Sequence, residues 1–329
     1  MSRANFIWTR HCCLAALAFC LAGPAAAETY TTFAVSGAEL TTATAINSRG
    51  AVTGYYTDSH SKIHGFVRAP NGTITTFDPQ GSVLTQPSGI DKNGTIAGTW
   101  SDSSDVSHGF VRAPNGTITA FDPGKSDNTF VVAIHGKVLG GFDKGGTSAG
   151  FLRSRGGGIR AFRYPGSHQT DPTAINGVET VTGDYRDNRQ VAHGFIRNPD
   201  GSFLSFDAPG ATATFPTGIN RDGIVTGRYA DAGDHGFLRM TDGTVVGIDV
   251  GGALDTRPAA INTKGAIAGN YIDSANNTRG FVRDTNGTLT LIDVPDAQTT
   301  VPYAIDNKGL IAGSYTNEDG SGGGFIRTP

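Results

Sequence analysis

Seven times between residues 64 and 323 the chain returns to one point of a single phrase, seen most clearly as His-Gly-Phe-Val-Arg from His64. The equivalent positions are His64, His108, Ala149, His193, His235, Arg279 and Gly323, spaced by 44, 41, 44, 42, 44 and 44 residues. No other feature limits the fold as much. A repeat of about 40–45 residues is the length of a four-stranded propeller blade, a unit that cannot bury its apolar faces alone and must stack on its neighbours.

Each period reads as four short strands, A to D. Strand A ends in Ile-Asn or Ile-Asp, as in Ala45 to Asn47 and Gly89 to Asp91, and its turn is closed by Gly50, Gly94, Gly223, Gly265 or Gly309. Strand B is Ile-x-Gly-x-aromatic, as in Ile96 to Trp100, and strand C is Gly-Phe-x-Arg, as in Gly109 to Arg112. Asn-Gly or Asp-Gly follows strand C at Asn71, Asn115, Asp200, Asp242 and Asn286, a strong hairpin signal. Strand D is Ile74 to Asp78 in the first unit and Leu289 to Asp293 in the sixth.

The two chain ends fit together. The last unit supplies strands A to C, from Tyr303 to Arg327, and then stops, whereas Tyr30 to Val35 reads as a strand D with no unit in front of it. The expected fold is therefore all-β: a seven-bladed β-propeller with four antiparallel strands per blade. It forms a single domain over residues 28–329, and its N-terminal strand completes the last blade and removes an exposed edge. A β-solenoid or an open array of hairpins is the structural alternative.

The unit Ala-Ile-Asn-x-x-Gly-x-Ile-x-Gly-x-Tyr followed by His-Gly-Phe-x-Arg resembles the HAF-family extracellular repeats over nearly the whole chain after residue 27. Glycine stands in place of that family's alanine at Gly65, Gly109, Gly194 and Gly236, and arginine where it often has tryptophan. The resemblance implies an exported repeat protein and carries over no catalytic residues.

Residues 1–27 support export. Arg3, Arg10 and His11 precede the apolar run Cys12 to Gly23, and Ala25 and Ala27 satisfy the small-residue rule for cleavage before Glu28. The expected location is secreted or periplasmic. Cys12, Cys13 and Cys20 all lie in this leader, so the mature chain has neither a disulfide nor a thiolate nucleophile. No later apolar run is long enough to span a bilayer. Arg3 and Arg10 are also lost, which leaves 24 of the 26 basic residues against all 29 acidic ones, a net charge near −5 that argues against nucleic acid as a partner.

Several residue types recur in every unit, and their regularity points to structure. Arg68, Arg112, Arg153, Arg197, Arg239, Arg283 and Arg327 close strand C, and the acids of strand D, Asp78, Asp122, Asp207, Asp249 and Asp293, are their expected partners. Tyr56, Trp100, Phe142, Tyr185, Tyr229, Tyr271 and Tyr315 are expected between blades. Thr41, Thr85, Thr129, Thr170, Thr214, Thr256 and Thr300 are expected to cap turns through their hydroxyls. His64, His108, His193 and His235 lie near Asp58, Asp102, Asp187 and Asp231, but without metal-ligand spacing, so they read as hydrogen-bonded staples; neither a metal nor a cofactor is expected.

A site for one ligand needs residues that only one unit has. The segment from Lys137 to Arg189 breaks the pattern most: its A–B turn reads Ile134-His135-Gly136, its strand C lacks the histidine, and Arg163 replaces the strand-D acid. It gathers Lys144, Arg155, Arg160, Arg163, His168, Arg186 and Arg189 on an acidic protein, with Glu179 and Asp184 close by. These are candidate ligands for an acidic sugar or another carboxylate, with arginine offering bidentate bonds; the plain alternative is a degenerate repeat with solvated charges. Serine-hydrolase, zinc-protease, phosphate-loop and dinucleotide motifs are missing.

The expected function is accordingly an exported, monomeric binding module. Its ligand would be a carbohydrate or an extracellular protein, held by the B–C and D–A loops. A polysaccharide lyase or hydrolase centred on residues 137–189, and a structural envelope protein, are the alternatives.

Overall fold

The computed structural model describes residues 28–329; the leader expected at residues 1–27 lies outside the described residues. The described residues form 28 strands and no helix, so none contains a helix long and apolar enough to cross a membrane. The strands make five antiparallel sheets of four and one sheet of eight. The larger sheet is two four-stranded arrays, residues 40–77 and 84–121, linked by one parallel pairing of Ile63 with Leu84.

Strand order within each array is A-B-C-D. In the first unit these are Leu40–Ile46, Val52–Thr57, Ile63–Arg68 and Ile74–Phe77. The sheet that contains the C-terminus takes its fourth strand from the start of the chain: Thr29–Phe33 runs antiparallel to Gly322–Thr328, with Tyr30 opposite Arg327 and Phe33 opposite Gly324. Each strand A packs on strand A of the next unit, and that of the last unit, Thr299–Ile305, packs on Leu40–Ile46 of the first. Val35, Ala43, Val52 and Phe66 share one core cluster with Ala312 and Ile326 across this junction.

The repeated residues explain the repeated geometry. Phe66, Phe110, Phe151, Phe195, Phe237, Phe281 and Phe325 of strand C are fully buried, one per unit, and are the largest fully buried side chains of the core. The strand-B glycine is required by close approach: a Cβ on Gly54 would lie 1.9 Å from the carbonyl oxygen of Thr42, where strand A bulges. After strand A, the Asn47 side chain accepts hydrogen bonds from the backbone N–H groups of Arg49 and Ala51, and its Nδ2 donates to the Asp91 carbonyl of the next unit. Asn176 and Asn262 do the same toward Asn220 and Asp306, so the turn also joins neighbours.

The strand-C arginines do not pair with the strand-D acids as expected. The guanidinium carbons of Arg68, Arg112, Arg153, Arg197 and Arg239 lie 4.8–5.0 Å from the ring centres of Phe33, Phe77, Phe121, Phe162 and Phe206, each on strand D of the preceding unit. A planar cation sheds its weak hydration easily against an aromatic face, and the contact crosses from sheet to sheet. Arg327 instead pairs with Glu28.

The acids turn to histidine. His64 Nδ1 is 2.6 Å from Asp78 and its Nε2 3.3 Å from Asp58, and His108, His193 and His235 bridge two aspartates in the same way. The threonine hydroxyls of Thr41, Thr170, Thr214, Thr256 and Thr300 accept from backbone N–H groups six residues earlier at 3.0–3.1 Å.

Candidate functional site

The two ends of the A–B hairpins differ sharply in how far they repeat. At the A–B turn, five other units match the Asn47 arrangement or its Asp form, and only His135 breaks it. Near the D–A and B–C loops, register pairs threonine with an aromatic in every unit, from Thr41 opposite Tyr56 to Thr300 opposite Tyr315. Two pairs further along, every unit sets Ala, Val or Pro opposite glycine, as Ala43 faces Gly54 and Pro172 faces Gly183.

Between these constant rungs lies one that never repeats. It reads Thr42 with Tyr55, Gln86 with Thr99, Phe130 with Gly141, Asp171 with Asp184, Phe215 with Arg228, Arg257 with Asn270, and Val301 with Ser314. The backbone at this rung is the same in each unit, so nothing in the fold demands these particular side chains. A repeated frame leaves such a rung free to carry a single site, which makes the loop end with the D–A and B–C connections the candidate.

Units four to six carry all the charged residues of that rung. Directly opposed carboxyls in an antiparallel pair have Cβ atoms about 4.5–5.5 Å apart, too close for both to ionise freely. Asp184 is 8% exposed. Burial, and then the charge of Asp171, push its carboxyl up to about 7 against the opposing pull of Arg186 and Arg228. Asp171 accepts hydrogen bonds from Ser148 Oγ at 3.0 Å and Gln169 Nε2 at 2.7 Å. Asp143 is also raised, by burial and then by Asp171 and Asp127.

The next two units answer these acids with arginine. Arg228 lies 4.3 Å over the Phe215 ring and donates to Asp234 at 2.8 Å. Asp234 also receives Arg257 Nε at 3.1 Å, and Arg257 Nη2 reaches Asp255 at 2.9 Å. Phe130 stands beside the acids with 42% of its surface exposed. The assembly offers two opposed carboxyl groups, guanidinium donors held in place by carboxylates, and an exposed aromatic side chain. Among the described residues no group of three His, Cys, Asp or Glu side chains is arranged to hold a metal ion.

The basic residues singled out by sequence do not converge on one place. Lys137 and Lys144 begin and end one strand of eight residues, about 23 Å apart at the rise of a β-strand. Lys144, Arg163, His168, Asp184, Arg186 and Arg189 belong to the end with the variable rung. There Arg163 donates to Thr147 Oγ1 at 2.9 Å, the His168 carbonyl accepts from the Ser148 N–H, and Arg186 donates to the Gln190 carbonyl. Arg155 and Arg160 belong to the opposite end, where Arg155 lies 3.5 Å from Asp91 and Lys137 is 2.6 Å from Glu179. Of the sequence candidates, Asp184 is the one at the centre of the variable rung.

Phe130, Asp171, Phe215, Arg228, Asp234 and Arg257 were missed. The available signal was the residue after the repeated threonine, which differs between almost all units: Thr42, Gln86, Phe130, Asp171, Phe215, Arg257 and Val301.

No family model matches the chain, and no curated protein matches it in sequence. Solved structures match in shape. A structure of streptogramin B lyase is 14% identical, covers 92% of this chain and 97% of its own, and superposes with a TM-score of 0.62. A catalytically inactive virginiamycin B lyase from Staphylococcus aureus with quinupristin is 12% identical, covers 92% and 100%, and gives 0.64. TolB from Acinetobacter baumannii is 10% identical over 81% of this chain and 76% of its own, with a TM-score of 0.51. Such low identities establish fold alone: this is an all-β protein of the propeller type, built from four-stranded antiparallel sheets.

Proposed function

We propose that this chain is an exported, monomeric seven-bladed β-propeller of the HAF-repeat kind that binds a carbohydrate at the end of the ring bearing the D–A and B–C loops. The seven-fold ring is supported by the succession of strand-A contacts from the first unit to the last and back to the first. It is supported too by the sheet shared between the two chain termini, which leaves no open inter-blade face to recruit a second copy. Export rests on the leader of residues 1–27 and on the absence of cysteine beyond it.

The observation that carries the ligand assignment is the non-repeating rung between two repeating ones. A sugar ring presents apolar C–H faces and paired hydroxyls. Phe130 supplies a stacking surface, and Asp171, Asp184, Arg228 and Arg257 supply the acceptors and donors that hydroxyl pairs chelate. The test is an array of neutral and acidic glycans probed with residues 28–329 and with Phe130→Ala and Arg228→Ala. Saturable binding lost in both variants is expected; binding indifferent to both removes this reading.

The carboxyl pair favours a second reading, hydrolysis or lysis of the same class of ligand. An aspartate raised to about 7 directly opposite a second carboxyl in the ladder has the residue types of a glycosidase pair. Release of new sugar ends from any bound glycan, abolished by Asp184→Asn, selects it; binding without release selects the binding module.

A further inference from the structure

At the opposite end of the ring, between the third and fourth units, lies a cleft of about 120 Å³ lined by Lys137, Leu152, Ser154, Arg160, Glu179 and Arg197, with Gly158 and Pro199 at its edge. We propose that this cleft binds a small oxyanion, a sulfate or phosphate group, either free or as a substituent of a larger ligand. The inference stands apart from the carbohydrate reading, since its residues are at the other end of the strands.

Three observations converge on it. Arg197 is 2% exposed, and although its Nε is unpartnered like those of Arg68, Arg112, Arg153 and Arg327, it alone is joined by a second guanidinium: Nη2 of Arg160 and Nη2 of Arg197 each lie 3.6 Å from the point where a Cβ on Gly201 would sit. The five equivalent turn glycines, Gly72, Gly116, Gly157, Gly243 and Gly287, each meet only the arginine of their own unit. Position 160 carries this charge in one unit alone, where the others have Thr75, Thr119, Leu204, Val246, Thr290 and Thr31.

The third observation is Glu179. It occupies the A–B turn position held by glycine in all six other units, and it adopts their left-handed conformation, φ 67° against 78–90° at Gly50, Gly94, Gly136, Gly223, Gly265 and Gly309. A side chain there is disfavoured, and strain of this kind gathers at functional sites. What the strained residue does is visible: its carboxylate reaches Lys137 at 2.6 Å, at the wall of the cleft. It therefore places one anionic group among three cations. The other nearby acid, Asp200, is engaged by the N–H and hydroxyl of Ser202 in its own turn.

The volume sets the ligand size. Pockets for drug-sized molecules begin near 300 Å³, so this cleft takes one tetrahedral oxyanion and not a sugar ring. Guanidinium forks and an ammonium group are the donors that such an ion selects.

The experiment is a calorimetric titration of sodium sulfate into residues 28–329 at constant ionic strength, with a sulfated disaccharide as a parallel ligand. One saturable site is expected, weakened at least about tenfold by Arg160→Ala, as befits the loss of a charge-assisted hydrogen bond. Glu179→Gly removes the internal carboxylate and restores the residue found in the other turns, so it is expected to tighten sulfate and to raise the melting temperature. Tighter binding of the disaccharide identifies a substituent as the natural ligand; equal or weaker binding identifies the free ion. Absence of saturable sulfate binding in both the parent and Glu179→Gly, or binding unchanged by Arg160→Ala in a folded variant, overturns the proposal.

Discussion

The guanidinium of Arg68 lies 5.0 Å from the ring centre of Phe33, and this contact joins the first repeat unit to a strand that belongs to the last. It is the same contact that Arg112 makes with Phe77 and Arg153 with Phe121, where both partners lie in successive units of continuous chain. The junction between the chain ends is therefore built like the four that follow it, whereas at the last two Ile248 and Ile292 stand where the others have phenylalanine.

A double-mutant cycle on Arg68→Ala and Phe33→Ala tests this directly. Cation–π pairs contribute about 0.5–2 kcal/mol depending on desolvation, so a coupling energy of that size is expected in urea unfolding. The cycle on Arg112 and Phe77 supplies the comparison. Equal coupling at both places shows a junction of equal strength; zero coupling at Arg68 with a finite value at Arg112 shows that the terminal strand is held in another way.

The period, the strand boundaries and the docking of the N-terminal strand were legible because each depends on spacing and on turn residues, which sequence displays. The partner of the strand-C arginine was not. Arg68 can neutralise Asp78 or cover an aromatic ring, and both partner types recur at the same period; only the direction in which the guanidinium crosses to the preceding sheet decides. The site was hidden for a different reason. Lys137, Arg155 and Arg160 are close in sequence to Lys144 and Arg163, but each strand carries the chain from one end of its sheet to the other. The rung that pairs Asp171 with Asp184 also depends on the bulge between Pro172 and Ala174, a one-residue register shift that composition does not reveal.

Asp184 makes a prediction about stability. Its carboxyl is raised from 3.8 to about 7, so the stability it contributes in protonated form is complete below the ordinary aspartate value and is lost as pH rises through about 7. A rise of that size corresponds to at most about 4 kcal/mol. Asp184→Asn keeps the shape and removes the ionisation. It is expected to stabilise the protein by roughly 1–4 kcal/mol at pH 8 and by much less at pH 5, as read from urea midpoints at the two pH values. A variant less stable than the parent at pH 8 shows that the ionised carboxylate is itself bonded in the fold.

The histidine clamps make a second pH prediction. Burial pulls the imidazoles of His108 and His235 down, but hydrogen bonds and charge from Asp122 and Asp102, and from Asp249 and Asp231, outweigh it and leave both raised. A raised histidine stabilises fully below its ordinary value near 6.5 and loses that contribution as pH rises through the folded value. Asp102 and Asp231 are lowered, chiefly by the backbone N–H groups of Ser104 and Gly233, so their contribution is lost as pH falls. The melting temperature is expected to peak at about pH 5–6. The His108→Gln, His235→Gln double variant should flatten the alkaline side of that curve; an unchanged slope there assigns it to other groups.

Two glycines should respond oppositely to the same added methyl group. A Cβ on Gly183 would stand 2.2 Å from the Asp171 carbonyl oxygen and 2.6 Å from Pro172 Cα, both backbone atoms of strand A that can retreat only if the ladder opens. Gly247, in strand D of the fifth unit, has nothing within 4 Å of its Cβ position. Gly183→Ala is therefore expected to cost about 3 kcal/mol or more, as overpacking against main chain does, while Gly247→Ala gains about 0.4–1 kcal/mol by restricting the unfolded chain. Because Gly183 also fixes the distance between Asp171 and Asp184, any Gly183→Ala protein that folds should lose glycan binding out of proportion to its stability. Parallel loss of both in Gly247→Ala would mean instead that the outer strand, far from the variable rung, holds the ligand.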